Sequence, residues 1–209
     1  MQKILLTGFE PFGGSKVNPS LEAAKTLNDR EIDGFKIIGK TIPLVFAEIK
    51  NTIEKLIQEY TPSAVISVGQ SGRGVISLER VAINLADARI PYNCGTKLFD
   101  QILEPEGPVA YFTTLPVRVI LSKLHEAGIP AELSYSAGTY GCNQLFYHLM
   151  HHVSEQSLDI PAGFIHVPPL PQQVVEKRSA PSMCLDLIIH ALEIVIKTTI
   201  KTIKERKAD

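Results

Sequence analysis

Short apolar runs alternate with amphipathic stretches along most of the chain. Residues 3–7 form a compact apolar run closed by Gly8, the pattern of a strand buried on both faces. Asn18-Pro19-Ser20 then opens a short helix over 19–27, with proline where its missing N–H is not needed. Residues 35–42 read as a second strand. Phe46, Ile49, Ile53, Leu56 and Ile57 recur at helical spacing and predict an amphipathic helix over 46–60. A buried strand over 63–68 ends at Gly69, and a glycine-rich turn fills 69–74. Residues 75–84 read as one strand carrying the pair Glu79-Arg80.

Residues 87–108 hold Pro, Gly and Asn without periodicity and predict a long loop with room for a hairpin. Loops of that length in compact domains are usually functional or disordered. Beyond it come a helix over 116–127 stopped by Gly128, a strand over 131–135, a helix over 143–153 and a strand over 163–167. A final helix runs from 182 to about 205, with Leu185, Ile188, Ile189, Leu192, Val195 and Ile196 on its apolar face. Strands alternating with helices predict an α/β fold: a three-layer α/β/α sandwich with a twisted, mainly parallel sheet and helices on both faces. One domain over 1–209 suits this length. Functional sites in such folds lie beyond the carboxyl ends of strands. Gly8, Gly69, Cys142 and His166 all fall at or near such ends.

Composition narrows the possibilities. A net charge of −1 supplies no global field toward nucleic acid or membrane. Cys94, Cys142 and Cys184 are too few and too scattered for a disulfide framework, and no CxxC pair suggests structural zinc. An odd cysteine count suits a reducing compartment. The opening apolar run is too short for a signal peptide or a membrane span, so a cytoplasmic location is expected.

Cys142 carries the strongest chemical signal. It follows the small-residue stretch Ser134-Tyr135-Ser136-Ala137-Gly138-Thr139-Tyr140-Gly141 and stands at the start of a helix. Unpaired N–H groups and the positive end of the helix dipole meet there and favour a thiolate, the nucleophilic form. Such a nucleophile needs a base, and the base needs an orienting group. His148, His151 and His152 lie too far along the following helix, on a face expected to be solvated. His125 and His190 lie on other helices. His166 ends an apolar strand and is followed by Pro168-Pro169-Leu170-Pro171, so it is either a catalytic base or a buried histidine bonded to backbone. Glu79 sits inside an apolar strand and must be paired. It either orients a histidine or forms a structural ion pair with Arg80 or Arg89, and Arg80 is a poor partner because adjacent strand residues face opposite ways.

Four motifs resemble the pyroglutamyl peptidase I family of cysteine peptidases. They are Thr7-Gly8-Phe9-Glu10-Pro11-Phe12-Gly13-Gly14 with Asn18-Pro19; Gly69-Gln70-Ser71-Gly72-Arg73 with Ile76-Ser77-Leu78-Glu79-Arg80-Val81-Ala82-Ile83-Asn84; the stretch ending Gly141-Cys142-Asn143; and Gly163-Phe164-Ile165-His166-Val167-Pro168. They occur in the family's order and span nearly the whole chain. The resemblance implies Cys142 as nucleophile, His166 as base and Glu79 as orienting carboxylate. It also implies removal of an N-terminal 5-oxoproline from peptides, with no metal or other cofactor, in a homotetramer. Phe9 and Phe12 would wall the lactam ring, or else anchor their loop in the core. Asn18 and the backbone of Gln70 would read the lactam, Ile90 and Tyr140 would complete the walls, and Arg89 would assist the developing charge. Where this chain has Gly141, the family motif usually has a branched apolar residue or Asn.

Two other readings are weaker. The first loop lacks the GxGxxG spacing of a nucleotide-binding module. His148 and His152 form an i, i+4 pair, but no HExxH surrounds them to suggest a metallohydrolase.

Overall fold

The computed structural model describes residues 1–206. The first half builds β1 (Gln2–Phe9), α1 (Pro19–Leu27), β2 (Glu31–Ile32), β3 (Phe35–Ile42), α2 (Phe46–Tyr60) and β4 (Ala64–Gln70). The second half adds β5 (Ile76–Glu79), β6 (Val81–Ile83), β7 (Ala110–Phe112), α3 (Val117–Glu126), β8 (Ala131–Ser134), α4 (Gly141–Glu155), β9 (Ala162–Val167) and α5 (Leu185–Arg206). A seven-stranded sheet runs β2-β3-β1-β4-β9-β5-β8, and β6 pairs with β7 in a separate ribbon. The sheet is parallel except at β2, antiparallel to β3, and between β5 and β9.

Two apolar cores flank the sheet. One face packs Ala23, Leu27, Ile120, Leu124, Ile188 and Leu192 of α1, α3 and α5. The other packs Ile49, Ile53, Leu145, Phe146 and Leu149 of α2 and α4. Successive strand residues point to opposite faces, so Leu5 and Val65 feed the second core while Ile4, Leu6 and Ile66 feed the first. The three-layer sandwich is therefore present.

Local chemistry explains most element limits. Asn18 caps α1, its side chain accepting from the Ser20 N–H at 3.1 Å, with Pro19 just inside. The predicted helix over 46–60 coincides with α2 and ends at Thr61, which is left-handed at φ 42°. The single strand predicted over 75–84 is instead two. Arg80 breaks it: its N–H donates to the Ser134 carbonyl at 2.7 Å, while its carbonyl accepts from Thr113 N–H at 3.1 Å. β5 consequently stays in the main sheet, and β6 leaves it to pair with β7. The final helix begins at Leu185 rather than 182.

Residues 87–108 form an irregular excursion with one antiparallel bridge, between Ala86 and Gln101. Cross-loop bonds from Ala88 N–H to Leu98 (2.8 Å) and Tyr92 N–H to Thr96 (2.8 Å) extend it. Side chains hold the far end. Asn84 Oδ1 accepts from the N–H groups of Leu103 (3.0 Å) and Glu104 (2.9 Å), and its Nδ2 donates to the Glu104 carbonyl (2.7 Å) and more weakly to that of Gly107 (3.3 Å). Tyr147 Oη donates to the Pro108 carbonyl at 2.7 Å.

Asn84→Ala strips partners from four backbone groups at once. It should cost about 2–4 kcal/mol of stability, read as a shift in the denaturant midpoint. A loss under about 0.5 kcal/mol would show that the loop does not depend on this anchor.

Candidate active site

Cys142 is the second residue of α4, in the helix's first turn. The first backbone bond of that helix runs from Gln144 N–H to the Tyr140 carbonyl at 3.0 Å, so the N–H groups of Gly141, Cys142 and Asn143 precede the helical ladder. Asn143 fixes the helix start. Its Oδ1 accepts from Ile83 N–H, and its Nδ2 donates to the carbonyls of Ile83 and Leu85, all at 2.9 Å.

The sheet register brings His166 to the sulfur. On one side His166 pairs with Gly69 of β4, and on the other with Ser77 of β5. A β-carbon at Gly69 would lie 2.7 Å from both Cys142 Sγ and Phe164 Cζ, closer than real side chains tolerate. Glycine at 69 therefore lets the thiol lie down over the sheet.

Behind the imidazole stands Glu79, with no exposed surface. Its Oε1 is 2.7 Å from His166 Nδ1. The guanidinium near it belongs neither to Arg80 nor to Arg89. It belongs to Arg73, whose Nη1 is 3.5 Å from Glu79 Oε1, 3.4 Å from Glu132 Oε1, and donates to Ser134 Oγ at 2.7 Å. Arg73 sits in the glycine-rich turn and was not singled out in the sequence. Its signal was its place six residues before Glu79, at the mouth of the same strand.

Burial alone would drive His166 toward its neutral form. The negative charge and hydrogen bond of Cys142, then the hydrogen bond and charge of Glu79, outweigh it and raise the pKa to about 9. The balance favours the protonated ring, between sulfur and carboxylate. Phe164 packs edge-on to it, ring centroids 5.0 Å apart.

A cavity of about 340 Å³ opens beside Cys142 and His166, which both line it. Each of Phe9, Phe12, Asn18, Gln70, Arg89, Ile90 and Tyr140 also lines it, together with Leu44 and Ala137. Their situations differ. Phe9, the last residue of β1, is buried, and its N–H donates to Ser20 Oγ at 3.0 Å. Phe12 is half-buried, 6.5 Å between ring centroids from Tyr140. Tyr140 donates to the Pro91 carbonyl at 2.9 Å, and burial first, then the charge of Cys142, pushes its pKa up to about 12. Arg89 is exposed. Asn18 is fully buried, with Oδ1 committed to Ser20 and Nδ2 to the Glu10 carbonyl at 3.1 Å. Gln70 Oε1 accepts from Gln173 Nε2 at 3.1 Å, which leaves its own amide N–H groups for other partners.

The other histidines stay apart from the cavity lining. His148 and His152 are buried, not solvated, because α4 is covered by α2 and the β6–β7 ribbon as well as by the sheet. Burial lowers the His148 pKa to about 4, against the pull of Glu104 3.2 Å away. His152 instead faces Glu54 at 3.9 Å. Among the described residues no group of three or more His, Cys, Asp or Glu side chains is placed to hold a metal ion. No described helix is long and apolar enough to cross a membrane.

A thiol at a helix N-terminus, an imidazole beside it, and a buried carboxylate behind the imidazole form the constellation of a cysteine hydrolase. A model of the family described as pyroglutamyl peptidase matches residues 2–202. Pyrrolidone-carboxylate peptidase of Bacillus subtilis is 51% identical over 198 residues, covering 94% of this chain and 92% of the relative. The corresponding protein of Bacillus cytotoxicus is 45% identical over 206 residues, 98% of this chain and 96% of its own. The solved pyrrolidone carboxyl peptidase of Thermococcus litoralis superposes with a TM-score of 0.96 at 39% identity, covering 99% of this chain and 96% of that one. A mutant of the Pyrococcus furiosus enzyme superposes at 0.94 with 42% identity, covering 96% and 99%. The chain belongs to the pyroglutamyl peptidase family, a family of cysteine peptidases that remove N-terminal pyroglutamyl residues.

Glu79→Gln keeps the shape of the side chain and removes a charge that favours the imidazolium. The His166 titration, near pH 9 in the native protein, should then move to lower pH, so the protonated ring persists over a narrower range. Nitrogen-15 NMR of the imidazole reads this directly, and an unmoved midpoint would deny Glu79 its part in holding the charge.

Proposed function

We propose that this protein is a cysteine exopeptidase that hydrolyses the amide bond after an N-terminal pyroglutamyl residue, through a thioester on Cys142. The observation that carries the reading is the line of Cys142, His166 and Glu79 opening on a cavity with apolar walls. Family membership supplies the substrate class.

The pyroglutamyl ring is a small, neutral lactam with one donor and one acceptor. Phe9, Phe12, Ile90 and Tyr140 would hold its faces, and the cavity suits a ring of that size. Gln70 is the better-placed reader, because its amide N–H groups remain for the lactam carbonyl. Asn18 would contribute through the shape of its capped turn and any remaining N–H. Cys142 sulfur would attack the pyroglutamyl carbonyl carbon. The oxyanion would be met by N–H groups of the first turn of α4, with Arg89 at the rim. The His166 imidazolium would pass its Nε2 proton to the departing amine as the C–N bond breaks. Water would then attack the thioester, giving its proton to His166. Collapse would release pyroglutamate and restore the charged pair of sulfur and ring.

The reading includes one catalytic domain in a reducing, cytoplasmic compartment, supported by three unpaired cysteines. Homotetrameric assembly rests on the family resemblance alone.

Cys142→Ala should lower release of arylamine from a pyroglutamyl arylamide by about 10⁴-fold or more, while Cys94→Ser and Cys184→Ser, at exposed thiols, stay close to native. Proline lacks the lactam carbonyl, so the prolyl arylamide should be cleaved at least about 10⁴-fold less efficiently. Full turnover by Cys142→Ala, or equal cleavage of the two substrates, would overturn the assignment.

A further inference from the structure

Gly141 precedes the thiol, and the space where its side chain would stand is already filled. A β-carbon on residue 141 would overlap Leu44 Cδ1 and lie 3.7 Å from Tyr92 Cε1. Leu44 comes from elsewhere in the fold, the segment between β3 and α2. It is 2% exposed, yet it lines the same cavity as Cys142.

Leu44 is also clamped by its backbone. Its N–H donates to Glu10 Oε1 at 2.8 Å, and its carbonyl accepts from Asn93 N–H at 3.0 Å. Asn93 Nδ2 closes the ring, donating to Glu10 Oε1 at 2.7 Å and to the Pro11 carbonyl at 3.1 Å. Glu10 and Pro11 belong to the loop that follows Phe9 and carries Phe12. Asn93 belongs to the excursion that carries Arg89 and Ile90. The bonds that hold Leu44 therefore tie together the loops lining the cavity, and Pro43 restricts the backbone just before it.

We propose that Leu44 is a specificity-determining wall of the ring pocket, built as one unit with Gly141: the leucine methyl takes the place of a side chain next to the nucleophile. This rests on the pyroglutamyl reading above. Because the wall hangs from the clamp rather than from α4, it sets the pocket's size without displacing Cys142. Gly141 is the vacancy it needs, since a β-carbon there would push Leu44 Cδ1 out of its present place. One methylene in an apolar pocket is worth about 10–200-fold in discrimination, so Leu44 decides how large a lactam enters.

The test compares the native protein with Leu44→Ala, Gly141→Val and the double variant. Each is assayed on a pyroglutamyl arylamide and on its six-membered lactam homologue. The native protein should prefer the five-membered ring by about tenfold or more. Leu44→Ala should narrow that preference by about tenfold, mainly through KM. Gly141→Val alone should lose about tenfold or more on both substrates. The double variant, in which three carbons move from one wall to the other, should recover to within about threefold of native efficiency and regain the ring preference. An unchanged ring preference in Leu44→Ala, an unimpaired Gly141→Val, or a double variant no better than Gly141→Val would each overturn the proposal. If Gly141→Val does not fold, Gly141→Ala combined with Leu44→Val completes the same cycle. Failure of the native protein to cleave either lactam would sink the functional reading instead. The Tm values of the four proteins would still report whether positions 44 and 141 are coupled.

Discussion

A carboxylate removed from water and bonded to one imidazole is the constraint on which the centre of this molecule depends. Glu79 has no exposed surface and reaches His166 at 2.7 Å, with Arg73 at 3.5 Å. A buried carboxylate is tolerated only with partners of this kind. The bond holds the ring with Nδ1 toward the acid, so its other nitrogen is turned to the chemistry. It also helps keep the ring positive against the burial that opposes charge. Charge on His166 is what would let it give a proton to a departing amine and attract the sulfur in the proposed reaction.

The fold places these groups by simple means. β5 runs against β9, so Glu79 approaches the histidine diagonally across two strands rather than from a loop. The β4–β9 register puts Gly69 beside His166, and the missing side chain there makes room for the thiol of α4. Asn143 ties the helix start to β6, whose departure from the main sheet at Arg80 also frees the chain to enter the long excursion. That excursion returns to the cavity through Arg89 and Ile90. Strand ends position Glu79 and His166 and a helix start positions Cys142, while loops pinned by Glu10, Asn84 and Asn93 shape the space in front of them.

Much of this was legible in the residues because local physics and global packing agree. The helical spacing from Phe46 to Ile57 and the Asn18-Pro19 start give α2 and α1 at their observed limits. Cys142 was readable as the thiol at a helix start, and His166 as the histidine closing an apolar strand. Other features depend on contacts distant in sequence. The break at Arg80 arises from bonds to Ser134 and Thr113, and β7 is a strand through its pairing with β6. The burial of His148 and His152 follows from helix packing that no local pattern displays. Arg73 becomes Glu79's neighbour, and Leu44 becomes Gly141's, only once strands and loops are assembled.

Sheet and loops meet at the sulfur: the sheet brings it an imidazole, and the loops bring it a small cavity. The most direct test is to quench turnover of a pyroglutamyl arylamide in acid and map the trapped protein by peptide mass spectrometry. The account predicts a pyroglutamyl group on the peptide carrying Cys142 and on no other. Turnover with the group attached to a different residue, or with no covalent adduct formed under burst conditions, would contradict it.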